Sequence, residues 1–305
     1  MEQDKRILFI VNPHSGWHNG GEFASVLEKI PQYSSVEYDI VMTQYRRHAK
    51  ELAQSGVESG KYKMIVAVGG DGTVNDVASA LVNVPNVAMG VIPMGRGNGF
   101  ARHLGYSMRL RGSLRQLLSG NEDTVDVMEV NGRYSFNVSG IGFDALVAHV
   151  ASRTKVRGVF SYVWAAITQF FRYRSHQYKV TVDGKVMQLK AFLFSFANTE
   201  QYGSNFVIAP RASVQDGIME LCVIDKVKNV LLIGIDYTRH LFMENNEKTQ
   251  AFRMFHCKEV KIEGKINIVH IDGEPMFMQS PLNIRVLPRA LRVVVPTPEP
   301  NPNKI

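Results

Sequence analysis

Residues 68–76 read Val-Gly-Gly-Asp-Gly-Thr-Val-Asn-Asp, and no other stretch is so well suited to chemistry. The apolar run Met64 to Val68 stops on Gly69 and Gly70, and a helical pattern starts at Val74. A strand that breaks on glycines and continues as a helix leaves the first helical N–H groups bare. Such a terminus attracts anions, phosphates above all. Gly69, Gly70 and Gly72 allow a ligand to approach the backbone closely. Asp71 sets a carboxylate where a phosphate or its Mg²⁺ would lie. Taken alone, the run reads equally as a tight turn with Asp71 as helix cap.

Two further loops change that balance. Asn12-Pro13-His14-Ser15-Gly16 follows the apolar run Ile7 to Val11, and Pro93 to Arg102 (Pro-Met-Gly-Arg-Gly-Asn-Gly-Phe-Ala-Arg) follows Val87 to Ile92. Each is rich in turn formers. Three successive strand ends therefore carry small polar loops, and in a parallel sheet all such ends lie on one edge, where ligands bind.

The elements that must position these loops alternate. Apolar strands fall at 6–11, 36–41, 64–68 and 87–92, and helical patterns near 20–30, 46–55, 74–82 and 99–119. This alternation predicts an α/β domain with a doubly wound parallel sheet over residues 1–125. Beyond about residue 123 short alternating runs appear at 123–130, 133–139, 177–182, 187–197, 218–224, 259–263, 266–271 and 283–287. Many are separated by turn signals such as Asn131-Gly132, Asp183-Gly184 and Asp272-Gly273. They predict a second domain, an antiparallel β-sandwich over 126–287. A second helical stretch is expected at 231–243.

In its three loops the chain resembles the catalytic domain of the diacylglycerol kinase and sphingosine kinase superfamily, the soluble bacterial lipid kinases in particular. The resemblance continues at Thr43, His48-Ala49, Asp126, Asn137, Gly140, Gly142, Asp144, Ala145, Tyr202-Gly203, Pro210, Ala212, Asp216-Gly217 and Asp272-Gly273-Glu274. It implies a phosphofructokinase- or NAD-kinase-like first domain, to which residues 288–305 return. It also implies transfer of the γ-phosphate of ATP, with Mg²⁺, to the hydroxyl of a lipid alcohol such as diacylglycerol. Asn12, Pro13, His14, Ser15, Gly16, Thr43, Gly69, Gly70, Asp71, Gly72, Thr73, Asn75, Gly95, Arg96 and Asn98 would then hold the nucleotide. Glu274 would be the general base, with Asp71 the competing candidate. Asp216 would bind a structural Mg²⁺ together with the backbone carbonyls of Ser213 and Ile218; a plain Asp-Gly turn is the alternative there.

Two positions depart from the family pattern. Arg96 stands where Thr or Ser is usual, and Gly99 where bacterial diacylglycerol kinases carry an Asp that shares a Mg²⁺–water network. Gly99 keeps a sphingoid acceptor open. So do two readings outside the lipid kinases remain open: an NAD-kinase-like enzyme acting on a soluble substrate, and a non-catalytic nucleotide sensor.

The 305-residue chain has room for two domains. Its start is polar and lacks a signal sequence, and no apolar run approaches the roughly 20 residues that span a bilayer. The two cysteines, Cys222 and Cys257, sit in no metal-binding spacing and suit a reducing cytoplasm. The net charge of +7 favours anionic partners, and residues 151–190 hold eight bases against one acid. Within that window Phe160, Val163, Trp164, Ile167 and Phe171 mark one face of a helix over 158–173. A helix packed on the β domain is the preferred reading. The alternative is a helix on an anionic membrane, giving peripheral membrane contact. No nucleic acid is expected as a partner, and a homodimer is left open.

Overall fold

The structure, a computed structural model, describes residues 6–15, 20–154, 159–203, 206–225 and 252–297. The chain divides into two compact units. One runs to Val125 and is rejoined by the chain from Arg289; the other is Asp126–Pro288.

In the first unit β1 (Arg6–Val11), β2 (Tyr38–Met42), β3 (Tyr62–Gly69) and β4 (Ala88–Pro93) form a parallel sheet in the order β2-β1-β3-β4. Strands β1, β3 and β4 are buried nearly from end to end, as strands covered on both faces must be. The connections are α1 (Gly20–Glu28), α2 (His48–Glu58), α3 (Asp71–Leu81), α4 (Gly99–His103) and α5 (Leu110–Ser119). Phe9 anchors one core layer, its ring 5.4 Å from Phe23 and 6.1 Å from Tyr33.

A fifth parallel strand comes from the far end of the sequence. The strand Leu282–Val295, the last among the described residues, brings Val293 beside Met89 of β4. The Tyr106 hydroxyl donates to the Val294 carbonyl at 2.7 Å. Burial pushes that phenol well above its ordinary value.

The single helix expected at 99–119 is two. Gly105, at φ 86°, ends α4 in a left-handed cap: its N–H donates to Arg102 O and the Tyr106 N–H to Ala101 O. These paired bonds form a Schellman motif, which stops a helix whatever the apolar pattern beyond it.

The second unit is two antiparallel sheets. One contains β8 (His176–Val182), β9 (Lys185–Ala191), β13 (Glu259–Gly264) and the first half of β16 (Leu282–Val295). The other is ordered β12 (Phe252–Cys257), β11 (Met219–Ile224), β10 (Leu193–Ala197), β7 (Val138–Gly142), β14 (Ile268–Ile271), β15 (Glu274–Phe277). The apolar core lies between them, with Val180, Ile262 and Ile284 from one sheet and Ile141, Phe196, Leu221 and Val269 from the other. The hairpin β5 (Asn121–Val130)–β6 (Arg133–Ser135) turns on Asn131-Gly132. At the three Asn-Gly and Asp-Gly hairpins both central residues have positive φ, as a type I′ turn requires.

Several expected runs divide. Residues 187–197 are two strands in different sheets, with Phe192 at the corner donating its N–H to Ile224 O. The run 133–139 breaks where Phe136 and Asn137 turn their N–H groups onto Asp272. The helix α6 (Phe143–Arg153) and the strand β12 were not anticipated. The stretch 231–243 lies outside the described residues.

The helix over 158–173 exists as α7 (Val159–Phe170) and packs within the second unit, Phe170 lying 5.9 Å from Phe143 and 5.6 Å from Phe192 by ring centroid, but part of the apolar stripe faces out. Ser161 and Ala165 are buried, and Ala165 packs against Val147 and Ala151 of α6. Trp164, Ile167 and Phe171 face out, at 51%, 63% and 78% exposure. The small Ala165 allows the close α6–α7 approach, and Trp164, Ile167 and Phe171 remain in solvent. The side chains of Phe160 and Val163 lie outside the described set.

Candidate nucleotide site

The three glycine-bearing loops meet at the C-terminal edge of the parallel sheet. Strand pairing brings them to one place, and four sets of contacts fasten them. Asn12 donates its amide N–H to Thr73 Oγ1 at 3.1 Å, joining the first loop to the second. The Asn12 N–H donates to Val68 O, and the Met94 N–H to Gly69 O. Asp71 clasps the third loop, with Oδ2 accepting from Asn98 N and Oδ1 from Gly99 N, both at 2.8 Å. Gly70 and Gly95 are in backbone contact. A Cβ on Gly95 would lie 2.7 Å from Asn98 Oδ1 and closer still to Gly70 Cα, so Gly95 tolerates no side chain, while one on Gly70 would press on Gly95 Cα at 3.1 Å.

Asn98 is the keystone of the third loop. It is buried and left-handed, at φ 51°, a conformation asparagine adopts more readily than most residues. Its side chain accepts from Gly95 N at 2.9 Å and donates to Gly95 O at 2.7 Å. The Arg102 guanidinium holds Gly97 O at 3.0 Å.

Helix α3 starts directly from this junction. Its N-cap, Gly70, is extended and supplies no side-chain cap. The first-turn amides, which no helical carbonyl can satisfy, are therefore left without a capping side chain at the edge the loops enclose. Asp71 is not a simple cap for its own helix; its carboxylate serves as a clasp across loops. Both oxygens are engaged by amides of the third loop.

The site residues named from sequence divide between the units. Asn12, Pro13, Ser15, Thr43, Gly69 to Thr73, Asn75, Gly95 and Asn98 sit together on the first unit's edge. His14 and Arg96 are exposed there, and Gly16 lies outside the described residues. Thr43 N–H donates to Val11 O at 2.8 Å, and Asn75 Oδ1 accepts from Ser79 Oγ at 3.4 Å.

Glu274, Asp216, Ser213 and Ile218 belong to the second unit. Glu274 is half-buried and opens β15, just past the Asp272-Gly273 turn. Asp272 fixes that turn. Its carboxylate accepts from Ser135 Oγ at 2.7 Å and from Phe136 N and Asn137 N, each at 3.0 Å. Asp216 forms a local turn by accepting the Ile218 N–H at 3.1 Å, and Gln215 N donates to Ser213 Oγ at 3.3 Å. Among the described residues no three His, Cys, Asp or Glu side chains cluster as a metal site.

Asp76 and its basic surroundings escaped the sequence reading. It lies one turn into α3, and burial pushes its carboxyl above the usual range, opposed by Arg47, Lys50 and Arg46. The Thr43–Lys50 segment holds three cations, and the left-handed Arg47, at φ 67°, opens α2. The run Arg46-Arg47 right after a strand was the visible signal. Beside it Tyr45 stacks on His48, with ring centroids 4.3 Å apart.

A glycine-looped parallel sheet joined to an antiparallel sandwich is the architecture of NAD-kinase-like phosphotransferases. The chain matches the diacylglycerol kinase catalytic domain over residues 6–130 and the YegS C-terminal NAD kinase beta sandwich-like domain over 137–295. It belongs to the diacylglycerol kinase family, and so to the kinases. A diacylglycerol kinase of Bacillus subtilis is 28% identical over 278 residues, 88% of this chain and 90% of that protein. The crystal structure of a diacylglycerol kinase from Bacillus anthracis superposes with a TM-score of 0.74 at 21% identity, over 100% of both chains. An NAD kinase from Archaeoglobus fulgidus in complex with ATP shares the fold, with a TM-score of 0.53 at 13% identity over 94% of this chain and 93% of that one.

Proposed function

We propose that this protein transfers the γ-phosphate of ATP to the hydroxyl of a membrane lipid alcohol, with diacylglycerol as the first acceptor to test. The observation that carries the reading is the fastening of three glycine loops around the uncapped start of α3. Such a terminus receives the phosphates through backbone N–H groups, which costs no side-chain ordering. Asp71 and the phosphate oxygens would together hold Mg²⁺, which typically takes one or two carboxylates and completes its shell with water. When bound, Mg²⁺ neutralises charge on the transferring phosphoryl group.

A lipid hydroxyl reacts once its proton is accepted. Glu274 is assigned that role, because its carboxylate stands on a turn fixed by Asp272. Asp71 is assigned to the loop clasp. Gly99 fits this division, since at that position the chain offers Asp71 a backbone amide instead of a second carboxylate.

The acceptor resides in a bilayer, and the outward face of α7 supports contact with one. Trp164, Ile167 and Phe171 lie along one side, with the exposed Arg172 and Arg174 at its end. Phe277, 74% exposed on the strand that Glu274 opens, adds another apolar group. Aromatic and cationic groups of this kind partition to anionic interfaces.

The test is purified protein, radiolabelled ATP and mixed micelles of diacylglycerol, a sphingoid base or no lipid, with NAD as a soluble acceptor. Labelled phosphatidic acid is the expected product. Labelled NADP alone, or no product from folded protein, defeats the proposal.

A further inference from the structure

Behind the Glu274 turn lies a polar cluster for which the phosphate loops have no use. Ser195 on β10, Gly140 on β7 and His270 on β14 stand in register across three neighbouring strands. The middle position has no side chain, and the carboxylate of Asp144, from the first turn of α6, sinks into the space. A Cβ on Gly140 would lie 3.0 Å from His270 Nε2, 2.6 Å from Phe194 O and nearest of all to Asp144 Oδ2. Only glycine fits.

Asp144 Oδ2 lies within hydrogen-bond distance of His270 Nε2 at 3.1 Å, Tyr202 OH at 3.1 Å and Ser195 Oγ at 3.3 Å. Ser195 and Tyr202 also bond each other, so one of the two hydroxyls gives its single hydrogen to the other, which donates its own to Asp144. Asp144 Oδ1 accepts the Ala145 N–H at 2.7 Å. His270 is 2% exposed, so it meets no substrate. Its other nitrogen, Nδ1, accepts the Gly273 N–H at 3.3 Å. An accepting Nδ1 requires the proton on Nε2, the tautomer that donates to Asp144. Asp144 thus fixes both the ring's orientation and its tautomer, and the ring in turn holds the amide next to Glu274.

We propose that His270 is a positioning residue for Glu274, acting through the Gly273 amide, with Asp144 as the group that sets its tautomer. This rests on the assignment of Glu274 as general base. The turn is then gripped on both sides: Asp272 by the 135–137 segment and Gly273 by His270. Holding a reacting group within a few tenths of an ångström matters, because a displacement of about 1 Å can cost on the order of 10²-fold in rate.

The decisive variants are His270→Asn and His270→Gln. Asparagine sets an amide oxygen near the place of Nδ1 and can still accept from Gly273, but it does not reach Asp144. Glutamine places its amide nitrogen near Nε2 and can donate to Asp144, but leaves Gly273 without an acceptor. Asp144 keeps Tyr202, Ser195 and Ala145 in both. Steady-state kinetics would be run on the full chain, with Tm for folding and hydrogen exchange of a peptide spanning 270–276, beside Glu274→Gln.

The expected result is a fall in kcat of about 10-fold or more in His270→Gln, with KM for ATP and lipid within about twofold. His270→Asn should retain most of kcat, and exchange should quicken in the glutamine variant alone. Equal losses in both variants, or wild-type kcat and exchange in His270→Gln, overturn the proposal. A wild-type rate in Glu274→Gln instead removes Glu274 as base. The exchange data then still decide whether His270 holds the turn.

Discussion

Gly95→Ala is a small change with a large expected consequence. Its methyl would stand 2.7 Å from Asn98 Oδ1 and nearer to Gly70 Cα. Carbon normally approaches an oxygen to about 3.3–3.6 Å and another carbon to about 3.5–4.0 Å. The overlap is therefore roughly 0.6 Å against the amide and more than about 1 Å against the backbone. Gly95 is absent from the positive-φ positions, so the backbone angles themselves admit alanine. Relief can come only from parting the 69–71 and 94–98 loops, because the obstructing atoms are main chain on one side and a doubly bonded asparagine on the other. Forced overpacking of this kind costs about 1–3 kcal/mol, and a loss of about 2–4 °C in Tm per kcal/mol is expected for a unit of this size. The folded fraction stays near unity. The phosphate seat, however, opens by around an ångström, and kcat/KM for ATP should fall by about 10²-fold. Initial rates across an ATP titration, with thermal melts on the same preparation, give both numbers. Wild-type kcat/KM for ATP in a folded Gly95→Ala protein would refute the claim that apposition of these loops makes the site.

Gly72→Ala separates the nucleotide from the fold: a Cβ there meets no atom of the described residues within 4 Å. The variant should gain up to about 1 kcal/mol from better helix propensity while KM for ATP rises, and an unchanged KM would place the phosphates elsewhere. Replacing Trp164, Ile167 and Phe171 together by serine should abolish co-sedimentation with anionic vesicles yet leave Tm within a few degrees; retained binding would remove α7 as the membrane face. Burial raises the phenols of Tyr33, Tyr106, Tyr173 and Tyr202, the thiol of Cys222, and that of Cys257 up to about 12. The folded state keeps protons that the unfolded chain releases from about pH 8.5–10 upward, so stability is intact below that range and declines as pH rises through it. Urea titrations from about pH 8 to about pH 10.5 should show midpoints dropping steadily, and a flat profile would contradict the burial of these groups.

The glycine loops were legible because their chemistry is local: strand, glycine break and helix start lie within about ten residues, and each element reads from its own period. The I′ hairpins at Asn131-Gly132, Asp183-Gly184 and Asp272-Gly273 were legible for the same reason. What escaped is non-local. Nothing near Asp71 announces that it will bind the amides of Asn98 and Gly99, and nothing near His270 points to Asp144, 126 positions away. Helix α6 was missed although Gly142, at φ 99°, breaks the strand directly before Phe143 and alanines at 145, 148 and 151 mark its close face. On α7 the apolar stripe was visible and its direction was not. Periodicity locates a face but does not say which way it points, and the small residues Ser161 and Ala165 held the answer.

The returning strand has a consequence for how the chain is made. Strand β4 is buried along its whole length, and its outer neighbour, Val293, is synthesised about two hundred residues after it. During translation the half that is begun first cannot close. Its sheet must wait, with an apolar margin open to wrong pairing, until Val293 has been made. Fragments ending near residue 130 should therefore precipitate when expressed by themselves, and a short deletion from the C-terminus that reaches past Val293 should damage the half of the molecule encoded first.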